Sequence, residues 1–157
     1  MNDVFIVNWV RDNNIDLIIN IRTRCIYKNE ILNSPKFGCI NVHHGILPKY
    51  RGTLCDLYAL ADSRPAGFTI HTMNEKIDDG DILLTCEVSD GKEKDYMKYL
   101  TKASAIEADK IAKIINFVAN NHSLPKGRGN KADEVIYTKT PRSWFEIKSL
   151  KSKGMVL

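Results

Sequence analysis

The sequence predicts an α/β fold, a mostly parallel sheet flanked by helices, and three observations lead there. Apolar runs of strand length, Asp16 to Ile21 and Phe37 to Val42, alternate with segments of helical spacing. Polar residues able to transfer protons follow the second run directly, at the point where a buried strand opens into a loop and where such sheets keep their chemistry. A long amphipathic segment, Tyr96 to about Val118, repeats apolar residues every three or four positions and can cover the sheet. With 157 residues, 43% hydrophobic and 27% charged, the chain fits a single domain over 1–157 with a core of its own.

Taken in order, Val4, Ile6, Val7 and Val10 recur at helical spacing and Asn13-Asn14 breaks the pattern. Asp16 to Ile21 is then a buried strand, Ile26 to Leu32 a short helix closed by Asn33-Ser34-Pro35, and Phe37 to Val42 the next strand. Leu54 to Ala61 reads as a helix ended by Ser63-Arg64-Pro65-Ala66-Gly67. Phe68 to Met73 alternates like a strand with two different faces, and Ile82 to Val88 is another strand, with a polar loop from Asn74 to Asp81 between them. After the long helix, Asn120 to Lys131 reads as a flexible polar loop, Val135 to Tyr137 as a short strand and Arg142 to Lys153 as a closing helix stopped by Gly154.

A net charge of +4 is mild and its lysines are scattered. The cluster from Lys148 to Lys153 reads as a solvated helix face, so nucleic-acid binding is not expected. Cys25, Cys39, Cys55 and Cys86 show no close pairing, which is the usage of a reducing cytoplasm. The first residues lack the basic start and apolar core of a signal peptide, and no run approaches membrane-spanning length. No Cys-x-x-Cys or His-x-x-x-His spacing points to a metal, and no glycine-rich phosphate cradle follows a strand.

The chemistry concentrates in three stretches. They are Asn41-Val-His43-His44-Gly45-Ile-Leu47-Pro48-Lys-Tyr50-Arg51-Gly52, Gly67-Phe-Thr69-Ile-His71, and Lys76-Ile77-Asp78-Asp79-Gly80-Asp81-Ile82. An amide, an imidazole and a carboxylate supplied by such segments can activate a nucleophile and hold a developing oxyanion. Asn41 and His43, two apart on a strand, emerge on one face. The order and wording of these segments, Asn-x-His-x-x-x-Leu-Pro-x-Tyr-Arg-Gly, then Gly-x-Thr-x-His, then Asp-x-Gly-x-Ile, closely resemble the folate-dependent formyltransferases. The resemblance runs from about Asp16 to about Glu87, and more loosely to the C-terminus.

That resemblance implies a partial Rossmann-like formyltransferase fold, the C-terminal portion of the family's catalytic domain. It makes Asn41, His43 and Asp78 the catalytic residues and 10-formyltetrahydrofolate the formyl donor, with no metal. Arg24, Cys25, Ile26, Tyr27 and Leu32, with Ile77 and Asp79 opposite, match the segments that hold the folate. His44, Tyr50, Arg51, Thr69 and His71 match the acceptor side; His44 stands where many relatives have proline. The units that precede this helix in the family are not in the sequence, so a bare sheet edge is expected, and with it a homodimer or a poorly stable fragment.

The implied activity is formyl transfer to an amino group in the cytoplasm. A nucleotide-linked amino sugar is the favoured acceptor, because the tRNA-acting relatives add a C-terminal domain and the charge here is modest. A methionyl-tRNA formyltransferase-like enzyme is the alternative within the family. A different class of function is a non-catalytic remnant that keeps the site residues and serves as a binding or interaction module.

Overall fold

The structure, a computed structural model, describes residues 1–23 and 25–157. It opens with α1 (Val4–Asp12), started by the Asp3 carboxylate, which accepts from the Phe5 amide at 2.8 Å. Val7 and Val10 turn inward from it. They meet Tyr27, Cys39 and α2 (Asn29–Leu32) in a small apolar cluster. The periodic segment beginning at Ile26 is thus helical only over its last turn.

The main sheet has four strands in the order β1 (Ile18–Ile21), β2 (Cys39–His43), β4 (Ala66–Thr72), β5 (Ile82–Ser89). β1 and β2 run parallel, while β2–β4 and β4–β5 are antiparallel. The α/β class with flanking helices stands, and its sheet is more mixed than the alternation of helices and strands suggests. β4 and β5 are joined by the short 73–81 loop, a hairpin connection that permits only antiparallel pairing. A separate parallel pair joins β3 (Tyr50–Gly52) to β6 (Ile136–Thr138). The sequence predicts no strand at Tyr50 to Gly52; it exists only because β6, far along the chain, gives its backbone partners.

Strand alternation divides the sheet into two faces. Ile40, Val42, Phe68 and Ile70 are buried and join α3 (Cys55–Ala61) and α4 (Tyr96–Asn121) in the main core. The opposite face carries Asn20, Asn41, His43, Thr69 and His71, brought side by side by the registers Asn20↔Asn41, Asn41↔His71 and His43↔Thr69. Apolar packing on one face therefore fixes a polar array on the other. Asp95 caps α4 by accepting from the Lys98 amide, and α5 (Trp144–Ser152) begins with a capping box of Ser143 and Glu146. Among the described residues, no helix is long and apolar enough to cross a membrane.

Candidate active site

Four side chains from three parts of the chain meet at the polar face: Asn41 and His43 from β2, His71 from β4 and Asp78 from the loop after it. Asp78 Oδ1 lies 3.5 Å from Asn41 Nδ2, 3.4 Å from His43 Nδ1 and 3.6 Å from His71 Nε2. Its other oxygen accepts from the Gly52 amide at 2.9 Å. Burial alone pushes the Asp78 carboxyl up, but His71, His43 and the Gly52 amide override it and hold the group below the ordinary carboxylate range. Asp78 is thus a mostly buried anion at the cavity wall.

His43 is fixed at one ring nitrogen. Nε2 sits 2.8 Å from the Tyr50 carbonyl, which can only accept, so Nε2 carries the hydrogen and Nδ1, facing Asp78, carries the lone pair of the neutral ring. Burial lowers the His43 pKa below its ordinary 6.5, outweighing the opposing pull of Asp78. The ring is therefore neutral at neutral pH and able to take a proton. The chain passes so close over it that a Cβ on Gly45 would lie 2.5 Å from Nε2 and 2.7 Å from the Cys55 Cβ. Only glycine fits there.

The loop that presents Asp78 is held from a distance. Asn130 is buried and its amide donates to the carbonyls of both Asp78 and Gly80 at 2.9 Å. Arg51 donates to the Asn130 carbonyl at 2.9 Å and pairs with Asp79 at 2.8 Å. At Gly80 the backbone presses on β4, where a Cβ would come within 1.8 Å of the Thr72 carbonyl oxygen. The segment expected to be a flexible polar loop is thus, at its end, the strap of the site. It even adds a bridge, Arg128 against Ile82.

The cavity over the four side chains has a volume of about 740 Å³. Asn41, His43, His71 and Asp78 line it, as do Cys25, Ile26, Tyr27 and Ile77 on the expected donor side. Ile26 and Ile77 are large and exposed, 62% and 55%, on the cavity wall. Arg22, Lys76, Lys139 and Arg142 make its lining basic. Arg24, another expected donor contact, lies outside the described residues.

Other expected contacts are placed elsewhere. Leu32 and Asp79 line a separate cavity of about 500 Å³ beside α2, and Asp79 is engaged by Arg51. Tyr50 and Arg51 are buried and do not line this cavity; Tyr50 contacts His43 through its carbonyl, and Arg51 grips the Asp78 loop. Thr69 is fully buried, donating to the Gly45 carbonyl and accepting from the Leu47 amide, so it shapes the turn after His43. These residue types suit substrate contact in the sequence, but Tyr50, Arg51 and Thr69 are all buried, and Arg51 is turned to Asp79 and Asn130.

His44 borders the cavity and is tied to the helices behind it. Its Nδ1 lies 3.1 Å from Asp56 on α3 and its Nε2 2.7 Å from Glu107 on α4, and Arg22 approaches the same ring at 3.2 Å. The Glu107 contact is short yet poorly directed, an ion pair more than a hydrogen bond. Burial works against the charged ring, but the two carboxylates override it and push the His44 pKa up to about 9. The Tyr96 hydroxyl completes the cluster by donating to Asp56 at 2.9 Å. Asn20, Asp56, Glu107 and Asn130 went unread in the sequence. Asn20 and Glu107 left local signals, a polar side chain inside an apolar strand and an acid on an apolar helix stripe.

All four cysteines are free, Cys39 and Cys55 buried and the other two half-buried. Burial pushes the Cys39 and Cys55 thiols up to about 12, which leaves them inert.

Comparison with known proteins adds to this geometry. The profile of the formyl transferase family matches residues 3–115. A methionyl-tRNA formyltransferase of Ehrlichia ruminantium is 34% identical over 113 residues, covering 71% of this chain and 37% of that protein. The crystal structure of a 4-N formyltransferase from Francisella tularensis superposes with a TM-score of 0.69 at 26% identity, covering 85% of this chain and 52% of that one. The formyltransferase PseJ from Anoxybacillus kamchatkensis, in complex with UDP-4,6-dideoxy-4-formamido-L-AltNAc and tetrahydrofolate, shares the fold. Its TM-score is 0.61 at 22% identity, covering 81% of this chain and 66% of that one. The chain thus spans from about a third to about two thirds of the length of these proteins.

Proposed function

Because the chain belongs to the formyl transferase family, we propose that it transfers a formyl group from 10-formyltetrahydrofolate to an amino group, carried by a nucleotide-linked sugar. The observation that carries this reading is the convergence of Asn41, His43 and Asp78 at the base of the 740 Å³ cavity. The donor, seated against Cys25, Ile26, Tyr27 and Ile77, supplies an activated carbonyl carbon. Asn41 donates from Nδ2 to the formyl oxygen as that carbon becomes tetrahedral. His43 takes the proton that the attacking amine must lose, at Nδ1. Once protonated there, the ring faces the Asp78 carboxylate as an ion pair, so the acid stabilises the charge that the step creates. His43 then returns the proton to the nitrogen of the donor as its bond to the formyl carbon breaks, leaving an amide on the acceptor and resetting the base.

Arg22, Lys139 and Arg142 on the lining support an acceptor with phosphates. Among the fold neighbours, one carries a nucleotide sugar and tetrahydrofolate in its crystal structure. The 34% identical relative acts on methionyl-tRNA by name, which makes charged tRNA the competing acceptor. Incubation of the chain with formyl-labelled donor, a panel of nucleotide-linked amino sugars, methionyl-tRNA and glycinamide ribonucleotide separates these. Label is expected on an amino sugar; label only on tRNA or only on glycinamide ribonucleotide overturns the acceptor, and label on none overturns the activity.

A further inference from the structure

An asparagine amide is useful to an oxyanion only through its nitrogen, and something must decide which end faces the cavity. In this chain the neighbour that decides is another amide. Asn20 on β1 stands in register with Asn41 on β2, so their side chains lie together on the polar face. Asn20 is 7% exposed, and its Nδ2 donates to Asn41 Oδ1 at 2.6 Å. Its own oxygen is occupied by the Thr23 hydroxyl, which fixes the direction of the donation. With its oxygen consumed, Asn41 turns Nδ2 toward His71 Nε2 at 3.1 Å and Asp78 at 3.5 Å.

The reverse orientation fails at both ends. It would set two NH2 groups against each other at Asn20 and press the Asn41 oxygen against the Asp78 carboxylate. The His71 ring agrees with the observed direction. Its Nδ1 lies 2.7 Å from the Thr72 carbonyl and donates there, so in the neutral ring Nε2 is free to accept from Asn41.

We infer that Asn20 is a positioning residue for formyl transfer, acting through Asn41 by holding the amide with its donor toward the reacting carbonyl oxygen. The inference rests on the function proposed above and has a readout that does not depend on it. Asn20→Asp keeps the size and shape of the side chain but replaces the donor facing Asn41 with an acceptor, which rewards the reversed amide. Turnover should fall by about the 10²-fold expected for loss of an oxyanion donor, with KM for the donor unchanged. Asn20→Val, which leaves the orientation to His71 and Asp78, should cost less. A buried carboxylate at position 20 also costs stability, so the readout that a merely structural role would not move is the direction of the Asn41 amide. In an Asn41→Ala background Asn20→Asp should cost nothing further, since the residue it acts through is gone.

The same orientation is measured without substrate by nuclear Overhauser contacts from the Asn41 side-chain NH2 protons. They should reach the His71 ring in the parent chain and residue 20 in Asn20→Asp. Full turnover in Asn20→Asp, an effect on KM alone, losses that multiply in the double variant, or unchanged contacts would each overturn the inference. A parent chain that formylates no acceptor sinks the proposed function instead, and the contacts still decide the role of Asn20.

Discussion

The buried ring of His44 ties stability to pH in a direction unusual for a histidine inside a protein. Both ring nitrogens face carboxylates, Asp56 at 3.1 Å and Glu107 at 2.7 Å, and only the protonated ring meets both as a cation. Its pKa rises from 6.5 to about 9 on folding. A group whose folded pKa is raised contributes its full stability below the unfolded value and loses it as pH rises through the folded one. The whole contribution is of order 3 kcal/mol, and about 2 kcal/mol of it should disappear between about pH 7 and about pH 9.5. Urea unfolding across that range, followed by tryptophan fluorescence and circular dichroism, measures it. Lysines and tyrosines titrate near the upper end, so the informative quantity is the difference from His44→Gln. This variant keeps one donor but no charge, leaves two buried carboxylates facing each other, and should be destabilised by about 3 kcal/mol at pH 7. Its stability should fall less steeply above pH 7 than the parent's. Parallel curves for the two proteins would refute the charged-ring argument.

Three further outcomes follow from the site. His43→Ala should cost about 10²- to 10⁴-fold in turnover, and the His43→Ala, Asp78→Asn pair little more, because residues acting as a unit are non-additive; an equilibrium titration should find donor affinity far less affected. Since burial holds the His43 pKa below 6.5, the acid limb of the rate profile should lie below that value. Above it the rate should be flat, as protonation removes the base only on the acid side. Asn130→Ala removes two buried hydrogen bonds to the Asp78 loop, at about 1 kcal/mol each. It should lower both the thermal midpoint, by calorimetry, and the turnover number; unchanged turnover in a folded variant would show that the loop holds itself.

How much of this was legible in the sequence depended on whether a residue's partners lie near it in the chain. The alternation that puts Asn41 and His43 on one face is local, and so is the apolar run that buries β2, which is why the chemistry could be assigned to the end of that strand. β3 was missed because Tyr50 to Gly52 has no period of its own, and its ladder comes from Ile136 to Thr138. For the same reason Asn130 read as loose polar loop: the carbonyls it binds are 52 and 50 residues away. Tyr50, Arg51 and Thr69 draw an acceptor role from the motif they stand in, yet each makes hydrogen bonds within the fold around His43 or Asp78. The motif therefore records two kinds of constraint in one stretch. On the proposed mechanism, Asn41 and His43 are fixed by what they do to a substrate. Arg51, Thr69 and Gly45 are fixed by the turn and the loop that keep His43 and Asp78 within 3.4 Å of each other. His44 belongs to neither kind: it pairs with Asp56 and Glu107, of which Glu107 sits on the inward stripe of α4 between Ala103 and Ile114. An acid on an apolar stripe is costly unless a cation meets it, so that position implies a buried positive partner, and the ring of His44 is where the fold supplies it.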